Sequence, residues 1–314
     1  MKYTNWCALS NVELAQRDIA EVNLAAALGL PFAEALNISA LCCKLDDWAD
    51  QIDSATRQAV LRRATRGMDA DLTDAQFRVG VMATVLYRHL GVRYYLPFIQ
   101  EEYDAADSRN LFIHGVLTGH GGTCVTMPVL YAALGRRLQY PLKLVHAKEH
   151  TFCRWDDAGG EQFNIETTSP GLNLRPDEYY LRWPHPISTD ELEHGWYLRN
   201  LSPRQELAMF LAQRGQCWLE HLQTARAAQA FHYVHMLDGH PSSEVCRAVA
   251  TVMHRMLSVG VLVSESTANP HLTPSRAMEA WEARFYPLAA RELNRILSNH
   301  KKRQIQTEHS IPQQ

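Results

Sequence analysis

The sequence predicts an α+β fold in which a small antiparallel sheet packs on one helix and helical segments stand at both ends. Three observations predict it: apolar residues at helical spacing over the first third, a helix followed by hairpin-like strands in the middle, and helical spacing again over the last third. The 314 residues, 46% hydrophobic and 21% charged, have the composition of a soluble globular protein of about two domains.

In the first third, Val12, Leu14, Ile19, Val22, Leu24 and Leu30 recur near helical spacing after a start at Ser10 or Asn11, and Gly29 with Pro31 closes the segment. A second helix runs through Leu41, Leu45 and Trp48, and a third from an Asp74 cap through Phe77, Val81, Val85 and Leu86 to Gly91. The charges around Arg62, Arg63 and Arg66 read as a solvated face. From Gly115 the pattern changes: Gly119, Gly121 and Gly122 lead through Thr123 to Cys124, and Leu130, Tyr131, Leu134 and Leu138 form a helical stripe. Strand-like runs cover Leu142 to Val145, Thr151 to Trp155 and, past a turn containing Asp156, Asp157, Gly159 and Gly160, Gln162 to Thr167. Ser202 and Pro203 then open a helical tail. In it Cys217, Trp218, Leu219, Ala227, Ala230, Phe231, Val234 and Pro241 partly match the spacing of a tetratricopeptide helix pair, and a plain packed helical tail explains them as well. The chain thus divides into a helical segment 1–105, a core 106–200, a helical, tetratricopeptide-like tail 201–300 and a polar end 301–314 expected to be frayed.

A formal charge of −3, from 31 basic and 34 acidic residues spread along the chain, marks neither a nucleic-acid face nor an acidic tail. Glu13, Arg17, Asp18 and Glu21 interrupt the first thirty residues, and no later run has the roughly 18 uncharged apolar residues of a membrane helix. A cytoplasmic protein is expected, with no membrane or nucleic-acid partner. Seven cysteines without a secretory signal read as reduced thiols. Cys42 and Cys43 are adjacent, the others are scattered, and no CxxC or HExxH pattern occurs, so neither a metal nor another cofactor is expected.

Chemistry concentrates in Gly121-Gly122-Thr123-Cys124-Val125-Thr126-Met127-Pro128. Proline is tolerated in the first turn of a helix and not inside it, so Pro128 sets Cys124 at the helix entrance. Unpaired amides and the positive end of the helix dipole there favour a thiolate, which predicts a lowered thiol pKa, and the same amides would hold an oxyanion. The upstream glycines let backbone approach a ligand closely, or serve only a tight turn. A nucleophile needs a base, and His150 opens the run His150-Thr151-Phe152-Cys153-Arg154-Trp155, where alternation sets it on one face with Phe152. His146 lies four residues earlier as an alternative. The next strand offers Asn164 and Glu166 to hold the imidazole by its other nitrogen. A hairpin turning near Ala158 and Gly159 brings position 167 opposite His150, within one residue of Glu166.

The order of cysteine at a helix start, histidine on a strand and acid on the next strand resembles the transglutaminase-like superfamily, whose architecture is shared with papain-type thiol proteases. Asp107-Ser108-Arg109 with Leu111-Phe112-Ile113-His114-Gly115, the Gly-Gly-Thr-Cys turn, Arg154-Trp155-Asp156 and Asn164-Ile165-Glu166-Thr167-Thr168 are similar to a bacterial branch of it, over about residues 10–240. The resemblance implies a core with a helix packed on a small antiparallel sheet, Cys124 as nucleophile, His150 as base and Glu166 as orienting acid, with Asn164 as the alternative and Gly122 and Thr123 in support. Aspartate is usual at the third position, so glutamate is a departure, though one the branch often carries. The implied reaction is attack on a carboxamide or peptide carbonyl of a protein or peptide substrate, ending in acyl transfer, deamidation or hydrolysis. The competing reading is a silent scaffold whose C-terminal helices hold a partner protein. Trp155, Tyr179, Tyr180, Trp183 and Trp196 are candidates for an access groove, and core packing explains them equally.

Overall fold

The computed structural model describes residues 3–66, 71–95, 104–258 and 280–309, which belong to two compact units, Met1–Phe210 and Leu211–Gln314. In the first unit the expected opening helix is two: α1 (Asn11–Ala15) and α2 (Ile19–Ala27). Ser10 caps α1 with a reciprocal bond from Glu13, and Asp18 restarts the chain by accepting from the Ala20 amide. A cap in mid-pattern competes with helix continuation, and hydrophobic spacing alone does not register it. Next come α3 (Ile38–Arg66) and α4 (Asp74–Arg88), where Thr73 rather than Asp74 is the cap, its hydroxyl taking the Gln76 amide. A short α5 (Ile113–Leu117) follows, then α6 (Thr126–Arg137).

Helix α6 is the central element of this unit. Met127, Val129, Leu130, Ala132, Ala133 and Leu134 are almost completely buried. At its C-terminal end Arg137 pairs with Asp18 at the start of α2 and Asp46 on α3, and Arg136 pairs with the buried Glu206. Cations suit this negative end of the helix dipole, and the pairs fix where the helix lies. Buried Asn23 of α2 takes the Ile113 amide at 3.0 Å, which otherwise has no partner at the start of α5.

The sheet has three antiparallel strands in sequence order: β1 (Leu142–Ala147), β2 (His150–Asp156) and β3 (Gln162–Ile165). Leu142 pairs with Trp155, Ala147 with His150 and Cys153 with Ile165. Strand β2 is buried along nearly its whole length, as a central strand covered on both faces must be. One face carries Val145, Ala147 and Phe152, which pack with Tyr180 and Ile187. The opposite face carries Leu144 and Cys153, and the Cys153 thiol donates to the Pro128 carbonyl of α6 at 3.1 Å. Two short helices, α7 (Asp177–Tyr180) and α8 (Thr189–Glu193), follow the sheet.

Helix α9 (Pro203–Glu220) leads the chain onward to α10 (Thr224–Asp238), α11 (Pro241–Ser258) and α12 (Ala280–His309). In the second unit α10 packs along α11, and α11 packs on α12. Ala227, Ala230, Phe231 and Val234 form the buried face of α10, and buried Glu220 pairs with Arg295 and Arg303 of α12. Gly239 closes α10 in the left-handed conformation.

His114 is 2% exposed, lies 3.3 Å from the Ser108 hydroxyl, and is pushed down to about 4 chiefly by burial. The unfolded chain therefore binds the extra proton more readily, and stability complete above pH 6.5 falls as pH drops toward 4. Urea titrations at pH 6.5 and 4.5 should give a loss about 1–2 kcal/mol larger in wild type than in His114→Gln, which cannot titrate. Equal losses would show that His114 is not neutral in the fold.

Candidate active site

Cys124 stands two residues ahead of α6 in a turn built by Thr123. The Thr123 hydroxyl, fully buried, donates to the Asn110 carbonyl at 2.8 Å and accepts from the Val125 and Thr126 amides at 3.4 and 3.3 Å. The Val125 and Thr126 amides expected to hold an oxyanion are thus engaged by the Thr123 hydroxyl, which corrects that expectation, and the Cys124 amide faces the Tyr94 oxygen. Gly122 is needed for packing, because a Cβ there would lie 2.3 Å from the Met127 sulfur. Gly121 has a φ of +111° and turns against Tyr95.

The Cys124 thiol is half-buried, and burial together with the negative charge of Glu166 pushes it up to about 11 from 9.0. The lowered pKa expected from the helix entrance is therefore corrected. The dipole's contribution is modest and falls off within the first turn, and burial of the thiol outweighs it. No hydrogen bond joins the sulfur to His150 among the described residues.

His150, 5% exposed, donates from Nε2 to Oε2 of Glu166 at 2.8 Å, since an ionised carboxylate only accepts. Nδ1 makes no hydrogen bond among the described residues. Continuing the β2–β3 register one residue past Ile165 sets Glu166 opposite Phe152, diagonal to His150. The extra methylene of glutamate covers that diagonal. The other Glu166 oxygen accepts from the Thr168 amide at 3.1 Å and hydroxyl at 2.7 Å, while Tyr180 adds a bond to Oε2 at 3.2 Å. Burial pushes the Glu166 carboxyl up, but the bond and charge of His150 and the two bonds from Thr168 outweigh it and hold the group below its ordinary 4.5.

Asn164 is committed elsewhere. It accepts from Arg154 at 2.7 Å and donates to the Arg175 carbonyl at 3.1 Å and to Asp177 at 2.7 Å. His146 faces the Thr151 hydroxyl at 3.1 Å, on the face of β2 away from His150. Among the aromatic candidates, Tyr180 stacks on Phe152 at 3.8 Å, and Trp183, 39% exposed, sets its ring edge-on to His150 at 4.7 Å beside Tyr179. Trp155 stacks on Phe163 and Trp196 on His194, away from this imidazole. Tyr94 escaped sequence reading. A single parallel bridge sets it beside Gly122, and no periodicity in Arg93-Tyr94-Tyr95 signals such a contact.

A helix with a cysteine at its entrance thus lies on a small antiparallel sheet that carries a histidine–carboxylate pair, an α+β arrangement. A family model described as the transglutaminase-like superfamily matches residues 41–211, more than half of the 314, and the chain belongs to that superfamily. No curated protein and no solved structure matches the chain. Among the described residues, no helix is long and apolar enough to cross a membrane, and no group of three His, Cys, Asp or Glu side chains is placed to hold a metal ion.

Tyr180→Phe removes one donor from a buried carboxylate while keeping the stack on Phe152. Chemical denaturation at pH 7 should show a loss of about 1–3 kcal/mol, the worth of a hydrogen bond to a charged group. A loss below about 0.5 kcal/mol would mean that this bond is not formed in solution.

Proposed function

We propose that the protein is a thiol acyl-transfer enzyme that attacks a carboxamide or peptide carbonyl through Cys124, with His150 as base and Glu166 as orienting acid. The observation that carries this reading is the buried 2.8 Å imidazole–carboxylate pair whose second ring nitrogen is uncommitted. Glu166 fixes the tautomer with the proton on Nε2 and stabilises the imidazolium that forms when Nδ1 takes a proton. The free thiol is neutral near pH 7. Attack therefore proceeds by general-base catalysis, the proton leaving sulfur for Nδ1 as the S–C bond forms, and not from a standing thiolate. Hydrogen bonds of this kind are often long before substrate binds and tighten in the complex. The imidazolium then gives its proton to the leaving amine, and the thioester passes to water or to an amine.

A second reading is a scaffold with a silent thiol whose C-terminal helices hold a partner protein. A neutral sulfur without a bond to His150 favours it.

4-Nitrophenyl acetate separates the two readings. The enzyme reading expects a burst of nitrophenolate matched by an acetyl group on the Cys124 peptide, absent in Cys124→Ala and slowed about a hundredfold or more in His150→Ala. A wild type that releases nitrophenolate no faster than Cys124→Ala is the scaffold outcome.

A further inference from the structure

We propose that the first unit holds a second ligand site, a cationic, ring-walled cavity that takes a small phosphate ester carried on a flat organic body. The cavity has a volume of about 500 Å³ and lies between α3, the end of α5 with the loop after it, and the segment that follows α4. Cys124, His150 and Glu166 do not line it, so its ligand is distinct from any group that the thiol attacks. The assignment stands whether or not Cys124 is a nucleophile.

Two cations carry it. Lys44 of α3 and Arg93 after α4 both line the cavity. Lys44, half-buried, donates to the Leu117 carbonyl at 2.6 Å and lies 5.2 Å from the centre of the Trp48 ring. Arg93 donates from one guanidinium nitrogen to the Tyr87 and Val92 carbonyls. The Leu117 and Tyr87 carbonyls belong to the last turns of α5 and α4, so capping helix ends is part of what both side chains do. A carbonyl fills a donor and leaves the charge. Neither cation meets a carboxylate among the described residues, whereas Arg109, Arg136, Arg137 and Arg154 of the same unit each pair with one. No Asp or Glu lines the cavity among the described residues. Two positive charges facing one cavity repel, and an anion between them removes that cost.

Charge and lining together select the class of anion. A phosphate monoester carries about −1.5 to −2 at neutral pH and three acceptor oxygens, enough for both cations, whereas a carboxylate neutralises one. It suits an ammonium with donors to spare and a guanidinium whose other nitrogens remain to form a fork. Much of the remaining wall is ring surface: Trp48, Tyr95 and His120 line it, the last two stacked with centroids 4.4 Å apart. A bare phosphate leaves most of such a volume empty, and aromatic walls favour a flat body beside the charged group. The cationic wall is tied to the turn before Cys124. The Gly122 amide donates to the Arg93 carbonyl and the Tyr95 amide to the Gly122 carbonyl, each at 2.8 Å.

Phenyl phosphate is the probe, titrated calorimetrically into the full chain at fixed ionic strength. The expected result is saturable one-to-one binding by wild type, weakened about tenfold or more in Lys44→Gln and in Arg93→Gln, because each removes a charge-assisted contact. Glutamine keeps an amide donor for the capped carbonyls, and melting curves without ligand establish that the variants are folded. If Lys44→Gln does not fold, Arg93→Gln, a change on an exposed side chain, decides alone. Phenol keeps the ring without charge and benzoate keeps it with one charge; both are expected to bind about tenfold or more weakly than phenyl phosphate. A wild type that does not bind phenyl phosphate, folded variants that bind it as wild type does, or phenol or benzoate that binds equally well overturns the proposal. Inorganic phosphate that binds as tightly as phenyl phosphate overturns the flat body.

Discussion

The hydrogen bond between His150 and Glu166 is the interaction on which the rest of the site depends. A carboxylate 4% exposed is tolerable only if its oxygens are filled, and four donors fill them: His150 Nε2, the Tyr180 hydroxyl, and the amide and hydroxyl of Thr168. Removing one partner from such a group leaves a buried charge with incomplete compensation, which costs more than the lost bond alone. The surrounding chain is arranged to supply those donors. Strand β2 brings the imidazole, the segment after β3 brings Glu166 and Thr168, and α7 brings Tyr180. The charge so held also acts on its neighbours. Burial chiefly, and this charge in addition, raises the phenols of Tyr87, Tyr94, Tyr179 and Tyr180 and the thiols of Cys124 and Cys153.

Two effects compete at the sulfur. The helix entrance favours a thiolate, whereas burial and the Glu166 charge oppose it, and opposition prevails. The same carboxylate that holds the His150 ring by Nε2 thus makes the resting thiol a poorer acid. In the proposed reaction the proton and the electron pair therefore move together, with His150 accepting as the S–C bond forms. A thiol that is neutral until substrate arrives also gives little thiolate for oxidation.

Much of the site's placement was legible because it follows from local rules. Proline in the first turn located the α6 entrance and strand alternation put His150 on the face of Phe152, while counting across the hairpin put position 167 opposite His150, one residue short of the 168 to which the observed register continues. What was not legible depends on contacts between distant segments. The choice between Glu166 and Asn164 is made by Arg154 and Asp177, which occupy the asparagine. The occupation of the entrance amides by Thr123 depends on the rotamer of one hydroxyl, and the arrival of Tyr94 depends on a bridge between segments nearly thirty residues apart. The break between α1 and α2 was missed because Asp18 serves at once as cap and as partner of Arg137.

Nitrogen NMR of the His150 ring at neutral pH, in wild type and Glu166→Gln, tests the central claim most directly, since everything proposed for Cys124 needs a lone pair on Nδ1. A neutral ring protonated on Nε2 in wild type, with that preference weakened when Glu166 loses its charge, is the predicted result. A ring protonated on Nδ1 in wild type, or one whose tautomer ignores position 166, contradicts the account, because the nitrogen needed as base would then carry the proton or owe nothing to the carboxylate.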